Sequence, residues 1–462
     1  MKFNLPKIIV CLLLFVFITP ALAQQKPVAG KWEGMLDVTT TKLKIVFRVF
    51  QEPDQSYTAL MDSPDQGAEN IGVKAVFSRN DSLILWVTDS KTAYLGKFDT
   101  KHDTLYGQWI QGGQKFPCKL FYAGSCEKPK RPQTPSPLYP YTIHEVTVKN
   151  EKAGNTLSGT LTIPQGSGPF PAVVLVSGSG AQDRDEELMG HKPFWIIADY
   201  LTRKGIAVLR YDDRGVGKST GSFMTATTYD FTDDALAALH YICSQPEIDS
   251  TRCGIIGHSE GGIVAPIAAT MSPKVKFIVM LAGTGITGKE IILHQSEIIA
   301  RASGEKEKDI KAALKSNKVL FGYIDKYKDT KVLSEKIASY LRKKKTPEQA
   351  IMQTTFQMIS PWFRTFLVLD PKVYLSQVKC PVLALNGSLD LQVDPKQNLE
   401  PIRKALAEAG NKNVTITEYP GLNHLFQHCT TGSPSEYGKI EETFSPEVLK
   451  AISEWIVSLK GK

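Results

Sequence analysis

A serine, a carboxylate and a histidine stand in this chain in settings that suit nucleophilic acyl transfer. The serine lies in Cys253-Gly-Ile-Ile-Gly-His-Ser-Glu-Gly-Gly262, where a short apolar run enters Gly257-His-Ser-Glu-Gly261 and then an Ala-rich segment. This is G-x-S-x-G between an expected strand and an expected helix. A tight strand-to-helix turn would hold Ser259 in an unfavourable backbone conformation with its hydroxyl projecting from the sheet. Side chains two residues before and after it would collide, so both positions are glycine. A serine hydroxyl is a weak nucleophile without a base. The C-terminal third supplies one. An apolar strand, Pro381 to Asn386, ends just before Asp390, and a second, Val414 to Tyr419, ends just before His424. Open α/β sheets build their sites beyond the C-terminal ends of their strands. Asp390 is preferred to Asp394, because Asp394-Pro395 reads as a helix N-cap followed by Pro at N1. His258 fills the variable position of the turn, His428 is peripheral, and His102, His144 and His240 are read as structural.

A tetrahedral oxyanion needs fixed donors. The N–H of Glu260, at the start of the following helix, is one. The second is expected from Ser177-Gly-Ser-Gly180, after the strand Ala172 to Val176, with the Ser179 N–H as donor. That loop continues into Gln182-Asp-Arg-Asp-Glu-Glu187, a charge knot expected to buttress it through internal ion pairs; direct substrate contact by Arg184 is the alternative. Tyr211-Asp-Asp-Arg-Gly-Val-Gly-Lys-Ser-Thr220 contains Gly-Lys-Ser, but Asp212 stands where a phosphate-binding loop needs its first glycine. Asp213 and Arg214 are expected to be pinned in local hydrogen bonds. No cofactor and no metal site follow from the sequence.

These residues need a scaffold. After Tyr141 strands alternate with helices. Strands are expected at 143–149, 156–163, 172–177, 206–210, 253–256, 276–282, 381–386 and 414–419, and helices at 191–203, 229–243, 261–271, 396–409 and 446–459. Residues 288–378 hold helix formers and no convincing strand, so a helical insertion is expected between the sixth and seventh strands. Residues 24–123 alternate polar and apolar side chains, with turn formers between the runs, and predict a small antiparallel barrel or sandwich. Residues 124–140 carry five prolines and the basic run Lys128-Pro-Lys-Arg131. They read as an extended linker with solvated charges.

Lys2 and Lys7, the apolar stretch Ile8 to Ile18 and Ala21-Leu-Ala23 have the pattern of a signal peptide covering 1–23 and cleaved near Ala23. The apolar run is shorter than the ~20 residues needed to cross a bilayer. An exported protein, periplasmic or extracellular, without stable membrane insertion is expected. Of 462 residues, 42% are hydrophobic and 22% charged, which excludes wholesale disorder and collagen-like structure. A net charge of +8 on so long a chain gives no case for a nucleic-acid partner. Cys11 lies in the signal sequence. The remaining six cysteines leave open both disulfides, with Cys118/Cys126 and Cys243/Cys253 nearest in sequence, and burial as small apolar groups.

Taken together, residues 141–462 resemble the serine α/β-hydrolase superfamily, in its exported bacterial esterase and dienelactone-hydrolase-like branch. The resemblance is carried by Val176-Ser-Gly-Ser-Gly-Ala-Gln-Asp-Arg-Asp-Glu186, Tyr211 to Ser219, Gly257 to Gly261, Ser360-Pro-Trp-Phe-Arg364 and Gly421-Leu-Asn-His424. It implies a mostly parallel eight-stranded sheet, a Ser259–Asp390–His424 triad and a helical lid at about 288–378. On that lid Trp362 and Phe363 would line an acyl pocket or form the lid core. Ser177 departs from many relatives, in which a His commonly precedes the oxyanion glycine, and this leaves the geometry of the hole open. The front segment is similar to a module found before such hydrolases, in Asp62 to Gly67 and Gln108 to Gly113, and has no catalytic set of its own. The expected activity is hydrolysis of a small-molecule ester through an acyl-enzyme. A serine peptidase, aminopeptidase or prolyl-oligopeptidase-like, acting on short peptides with the same triad is the alternative, and a non-catalytic binding protein on this scaffold is a third.

Overall fold

Period-two patterning in the front segment produces eight antiparallel strands. They are β1 (Gly30–Val38), β2 (Thr41–Gln51), β3 (Tyr57–Ser63), β4 (Ala68–Ser78), β5 (Ser82–Val87), β6 (Thr92–Phe98), β7 (Thr104–Gln111) and β8 (Gln114–Tyr122). In this computed structural model, which describes residues 28–38, 41–66, 68–78, 81–87 and 92–459, they form a closed barrel. Closure pairs Trp32 with Tyr122 and Glu33 with Phe121, so of the two expected forms the barrel is found. Along β5 the residues Leu83, Leu85 and Val87 are buried, while Trp86 faces outward. Trp32, fully buried, packs edge-on against Phe98 and Tyr122 at 5.5 and 5.3 Å. The signal-peptide pattern lies outside the described residues. Among the described residues no helix is long and apolar enough to cross a membrane.

The barrel unit ends at Glu127, and a larger unit runs on from Lys128. Its sheet contains β9 (Tyr141–Asn150), β10 (Asn155–Pro164), β11 (Phe170–Val176), β12 (Ala207–Tyr211), β13 (Ile248–His258), β14 (Phe277–Leu281), β15 (Val382–Gly387) and β16 (Val414–Tyr419). Their order is β16-β15-β14-β13-β11-β12-β10-β9. The pairings from β12 through β11 to β16 are parallel, and β9, β10 and β12 pair antiparallel. All eight expected strands are present; β13 starts earlier than expected, at Ile248, with an irregular register against β11 near Phe170.

The central strands are buried on both faces, which is why they read as continuous apolar runs. Alternate residues of β11 serve opposite cores. Ala172, Val174 and Val176 meet α2 (Thr228–Ile242), α3 (Gly261–Met271) and α10 (Pro395–Glu408). Val173 and Leu175 meet α1 (Pro193–Arg203) and α11 (Pro446–Ser458).

The insertion is helical throughout: α4 (Gly288–Ala302), α5 (Glu307–Lys326), α6 (Thr330–Lys343), α7 (Glu348–Ile359), α8 (Pro361–Val368) and α9 (Lys372–Leu375). Thr287 and Glu290 make a capping box at the start of α4. Phe321, Ile337, Met358 and Phe363 give the insertion a core of its own. Phe366 and Leu369 seat it on Ile263 and Ile267 of α3.

The linker's basic run is not merely solvated. The Arg131 guanidinium donates to the carbonyls of Met189, Gly438 and Ile440 at 2.9–3.1 Å. Gln133 accepts from the Thr443 and Phe444 amides. Composition alone could not reveal this, because the acceptors are backbone groups 58 to 309 residues away. The six cysteines among the described residues are free thiols, with Cys118 and Cys253 buried.

The turn between β13 and α3 leaves no room for side chains at its glycines. A Cβ on Gly257 would fall on the Gly261 carbonyl, and one on Gly261 would fall on the Val176 carbonyl. Gly257→Ala is therefore expected to lower the unfolding free energy by about 3 kcal/mol or more. Its urea midpoint should fall accordingly; an unchanged midpoint would contradict the steric argument.

Candidate functional site

Parallel pairing of β11, β13, β15 and β16 brings their C-terminal ends to one edge of the sheet. Ser259 follows β13 with φ of +53°, a region few non-glycine residues occupy. The strain is held by its amide, which donates to the Leu281 carbonyl at 2.8 Å, and by its carbonyl, which accepts the Gly262 amide at 2.9 Å.

Asp390 and His424 meet. Oδ2 of Asp390 lies 2.8 Å from Nδ1 of His424, and both side chains are almost wholly buried. The other carboxylate oxygen accepts the amides of Gln392 and Val393, each at 2.8 Å. With Nδ1–H given to a carboxylate, the Nε2 of His424 is left as the basic nitrogen. No hydrogen bond joins the Ser259 hydroxyl to His424 among the described residues. The two are neighbours through His258, whose ring centroid lies 4.8 Å from that of His424.

Asp394 caps α10, accepting the Lys396 amide at 3.1 Å. It also faces Nε2 of His294 in α4 at 2.9 Å, while the Gln397 amide meets Nδ1 of that ring at 3.0 Å. The carboxylate that the sequence passed over thus ties the helical insertion to the sheet.

The loop after β11 is held from several sides. The Ser177 hydroxyl and the Gln182 amide donate to Asp213, whose carboxyl is pushed well above its ordinary range by complete burial. Arg184 donates Nε and Nη2 to the two oxygens of Asp212 at 3.0 and 2.8 Å and Nη1 to Glu145 at 2.7 Å, so it buttresses the loop through pairs outside the charge knot rather than within it as expected. Arg214 is pinned to Asp234 at 2.6 Å. Among the described residues neither the Ser179 amide nor the Glu260 amide has an acceptor within the chain.

A family model described as Hydrolase_4, serine aminopeptidase S33, matches residues 194–428, a span that contains Ser259, Asp390 and His424. The chain belongs to this hydrolase family. It is similar to esterase EstD of Thermotoga maritima, 31% identical over 304 residues, 66% of this chain and 66% of that protein. It is also similar to esterase FrsA of Yersinia enterocolitica, 35% identical over 136 residues, 29% of this chain and 30% of that protein. The chain therefore spans just under two thirds of the first relative and under a third of the second. Among solved structures, an esterase of Pyrococcus furiosus matches with a TM-score of 0.44 at 17% identity, covering 72% of this chain and 98% of that one.

The side chain of Glu260, the residue after Ser259, has a structural role that the sequence did not disclose. The Glu260 side chain is fully buried, and four contacts occupy its oxygens. Thr228 and Ser179 hydroxyls donate at 2.7 and 2.8 Å, and the Trp362 indole N–H lies 2.9 Å from both oxygens. Burial pushes its carboxyl above the ordinary value, and the hydrogen bonds oppose that rise. Ser179 and Glu260 are thereby tied by a side-chain bond, and Trp362 of the insertion is tied to Glu260 and through it to Ser179. Trp362 also stacks on Phe366 with centroids 5.4 Å apart.

Trp362→Phe keeps the stack and removes the donor. A raised folded pKa means that Glu260 contributes stability below its unfolded value, lost as pH rises through the folded one. The variant should lose about 1–3 kcal/mol at pH 7.5. The loss should shrink near pH 4, where the neutral acid needs the indole less. Urea titrations at the two pH values read this, and equal losses at both would contradict it.

Proposed function

We propose that this hydrolase cleaves carboxylic esters of small molecules through a Ser259–His424–Asp390 triad and an acyl-enzyme. The observation that carries the proposal is the buried Asp390–His424 hydrogen bond of 2.8 Å at the strand ends beside a serine with φ of +53°. Ser259 Oγ attacks the substrate carbonyl carbon and gives its proton to Nε2 of His424. Asp390 keeps the ring in that tautomer and stabilises the imidazolium. The oxygen of the tetrahedral intermediate is received by the Ser179 and Glu260 amides, a term typically worth about 3 kcal/mol per donor. Collapse expels the alcohol with the proton from His424, and water then releases the acid by the same steps.

The names of the relatives, esterases EstD and FrsA, support the ester reading. The family description favours a second one, a serine aminopeptidase. An aminopeptidase needs an acidic group for the substrate's ammonium. Glu260, beside the nucleophile, has both oxygens engaged by donors of the chain itself. That weighs for the ester. Export, with cleavage near Ala23, belongs to the same proposal and rests on the pattern of residues 1–23. So does the division into a β-rich module, a linker and a hydrolase domain with its lid.

The purified chain should hydrolyse nitrophenyl acetate, butyrate or octanoate faster than aminoacyl nitroanilides. Ser259→Ala should lose roughly 10³-fold or more of kcat, and Asp390→Asn roughly 10⁴-fold. A fluorophosphonate should label Ser259. Turnover unchanged in Ser259→Ala would end the proposal, and faster amide cleavage would transfer it to the peptidase.

A further inference from the structure

A hydrogen-bonded chain outside the triad joins the three loops of the site. Oε1 of Glu186 accepts the Gly178 amide at 2.7 Å and lies 2.9 Å from Nδ1 of His258. Nε2 of His258 lies 3.0 Å from the carbonyl oxygen of His424. Gly178 precedes Ser179, His258 precedes Ser259, and the carbonyl is that of His424 itself. Both side chains of the pair are under a tenth exposed. The approach is close on every side: a Cβ on Gly178 would stand 3.1 Å from Cβ of Ser259.

The protonation state follows from the partners. A carbonyl oxygen can only accept, so Nε2 of His258 carries a proton. A neutral imidazole then has no proton left for Nδ1, whereas the imidazolium donates from both nitrogens. Oε1 of Glu186 already receives an amide N–H, which suits a carboxylate. Burial acts to strip the extra proton from His258. The charge of Glu186, its hydrogen bond and the His424 carbonyl outweigh burial, and Asp390 adds in the same direction, so the ring titrates above its ordinary value. The charged and titratable groups around the pair are Glu186 and Asp213 from the loops after β11 and β12, Asp390 from the loop after β15, and His424 from the loop after β16. As an ion pair Glu186 and His258 are neutral together, so they set no net charge against the imidazolium that His424 becomes during the reaction.

We propose that Glu186 and His258 form a positioning pair that, while ionised, fixes the Gly178–Ser179 backbone and the His424 backbone at the spacing the transition state requires. The inference rests on the acyl-transfer reading of Ser259 and His424. Neither residue touches the reacting atoms. Their effect belongs in kcat rather than KM, because the misplaced groups are those that act on the developing oxyanion and proton. The folded pKa of His258 is raised, so the ionised pair survives to higher pH than an ordinary imidazolium and is lost as pH rises through that value. One of the two ring bonds then breaks, and kcat acquires an alkaline limb that the triad alone does not produce.

Glu186→Gln tests this with little change of shape. Its amide oxygen can still accept from Gly178, but without the carboxylate charge His258 keeps a single proton. On nitrophenyl acetate, kcat is expected to fall about 10- to 100-fold with KM within about twofold, the scale of a small misplacement of reacting groups. The alkaline limb should move down by about one pH unit or more, and Glu186→Asp, which keeps the charge, should restore its position. Unchanged kcat and profile would overturn the proposal. So would a fall in kcat at an unchanged profile, since a merely structural role gives that. A second readout needs neither folding of the variant nor turnover. In the wild-type chain followed through a pH series, low-field proton NMR should show both ring N–H signals of His258 persisting above the ordinary histidine pKa of about 6.5, and loss of one signal below it would overturn the pair. If the wild type neither hydrolyses esters nor labels at Ser259, the acyl-transfer reading fails while the NMR result still reports on the pair.

Discussion

Everything at the site depends on the closeness with which the β13–α3 turn approaches β11. Gly261 lies against the Val176 carbonyl with no room for a Cβ, and Gly257 lies against Gly261 in the same way. That contact forces Ser259 to φ of +53° and turns its hydroxyl out of the sheet. It also brings the loop after β11 beside the start of α3, which places Ser179 near Glu260, the two residues proposed to receive the oxyanion. A larger residue at either glycine would push apart the two segments that carry them. The strain at Ser259 persists because both its backbone groups are bonded and the flanking sheet is buried on both faces.

Around that turn the protein buries charge heavily. Asp213, Glu260 and the Glu186–His258 pair are all inaccessible or nearly so. Such groups lose hydration and regain it only through well-directed partners, so their net contribution to stability is small and their contribution to a single geometry is large. All but Glu260, whose oxygens are held by side chains, bond backbone that matters to the site. Asp213 takes the Gln182 amide, Glu186 takes the Gly178 amide, and Asp390 takes two amides of its own loop. The loops are irregular in φ and ψ, and these carboxylates do for them what sheet hydrogen bonds do for strands.

What the sequence revealed and what it hid divide by the range of the interaction. Ser259, Asp390 and His424 were visible because each is marked locally, by a strand that ends a few residues before it. The sheet was visible for the same reason: central strands such as Val382 to Gly387 are apolar without interruption. Barrel against sandwich was not decidable, since closure depends on β1 meeting β8 across the whole module. The role of His258 was hidden because its partner, Glu186, lies 72 residues away in a charge knot that was expected to pair within itself. His294 carries no local mark at all, being a polar residue on an amphipathic helix whose partner Asp394 is 100 residues distant. Arg131 looked solvated because three backbone carbonyls leave no trace in side-chain composition.

The helical insertion is more than a cover. It reaches the sheet by apolar contact of Phe366 and Leu369 with α3, by His294 on Asp394, and by Trp362 on Glu260. The first is non-directional and tolerates sliding. The two polar contacts do not, and each ends on a residue next to one of the proposed catalytic elements: Asp394 on the loop that carries Asp390, and Glu260 beside Ser259. Any displacement of α8 that breaks the indole bond leaves a buried carboxylate with fewer donors, and a carboxylate so exposed to desolvation favours its neutral form. Because the same carboxylate holds the Ser179 hydroxyl, the position of the insertion and that of the Ser179 and Glu260 backbone proposed to receive the oxyanion are one mechanical problem.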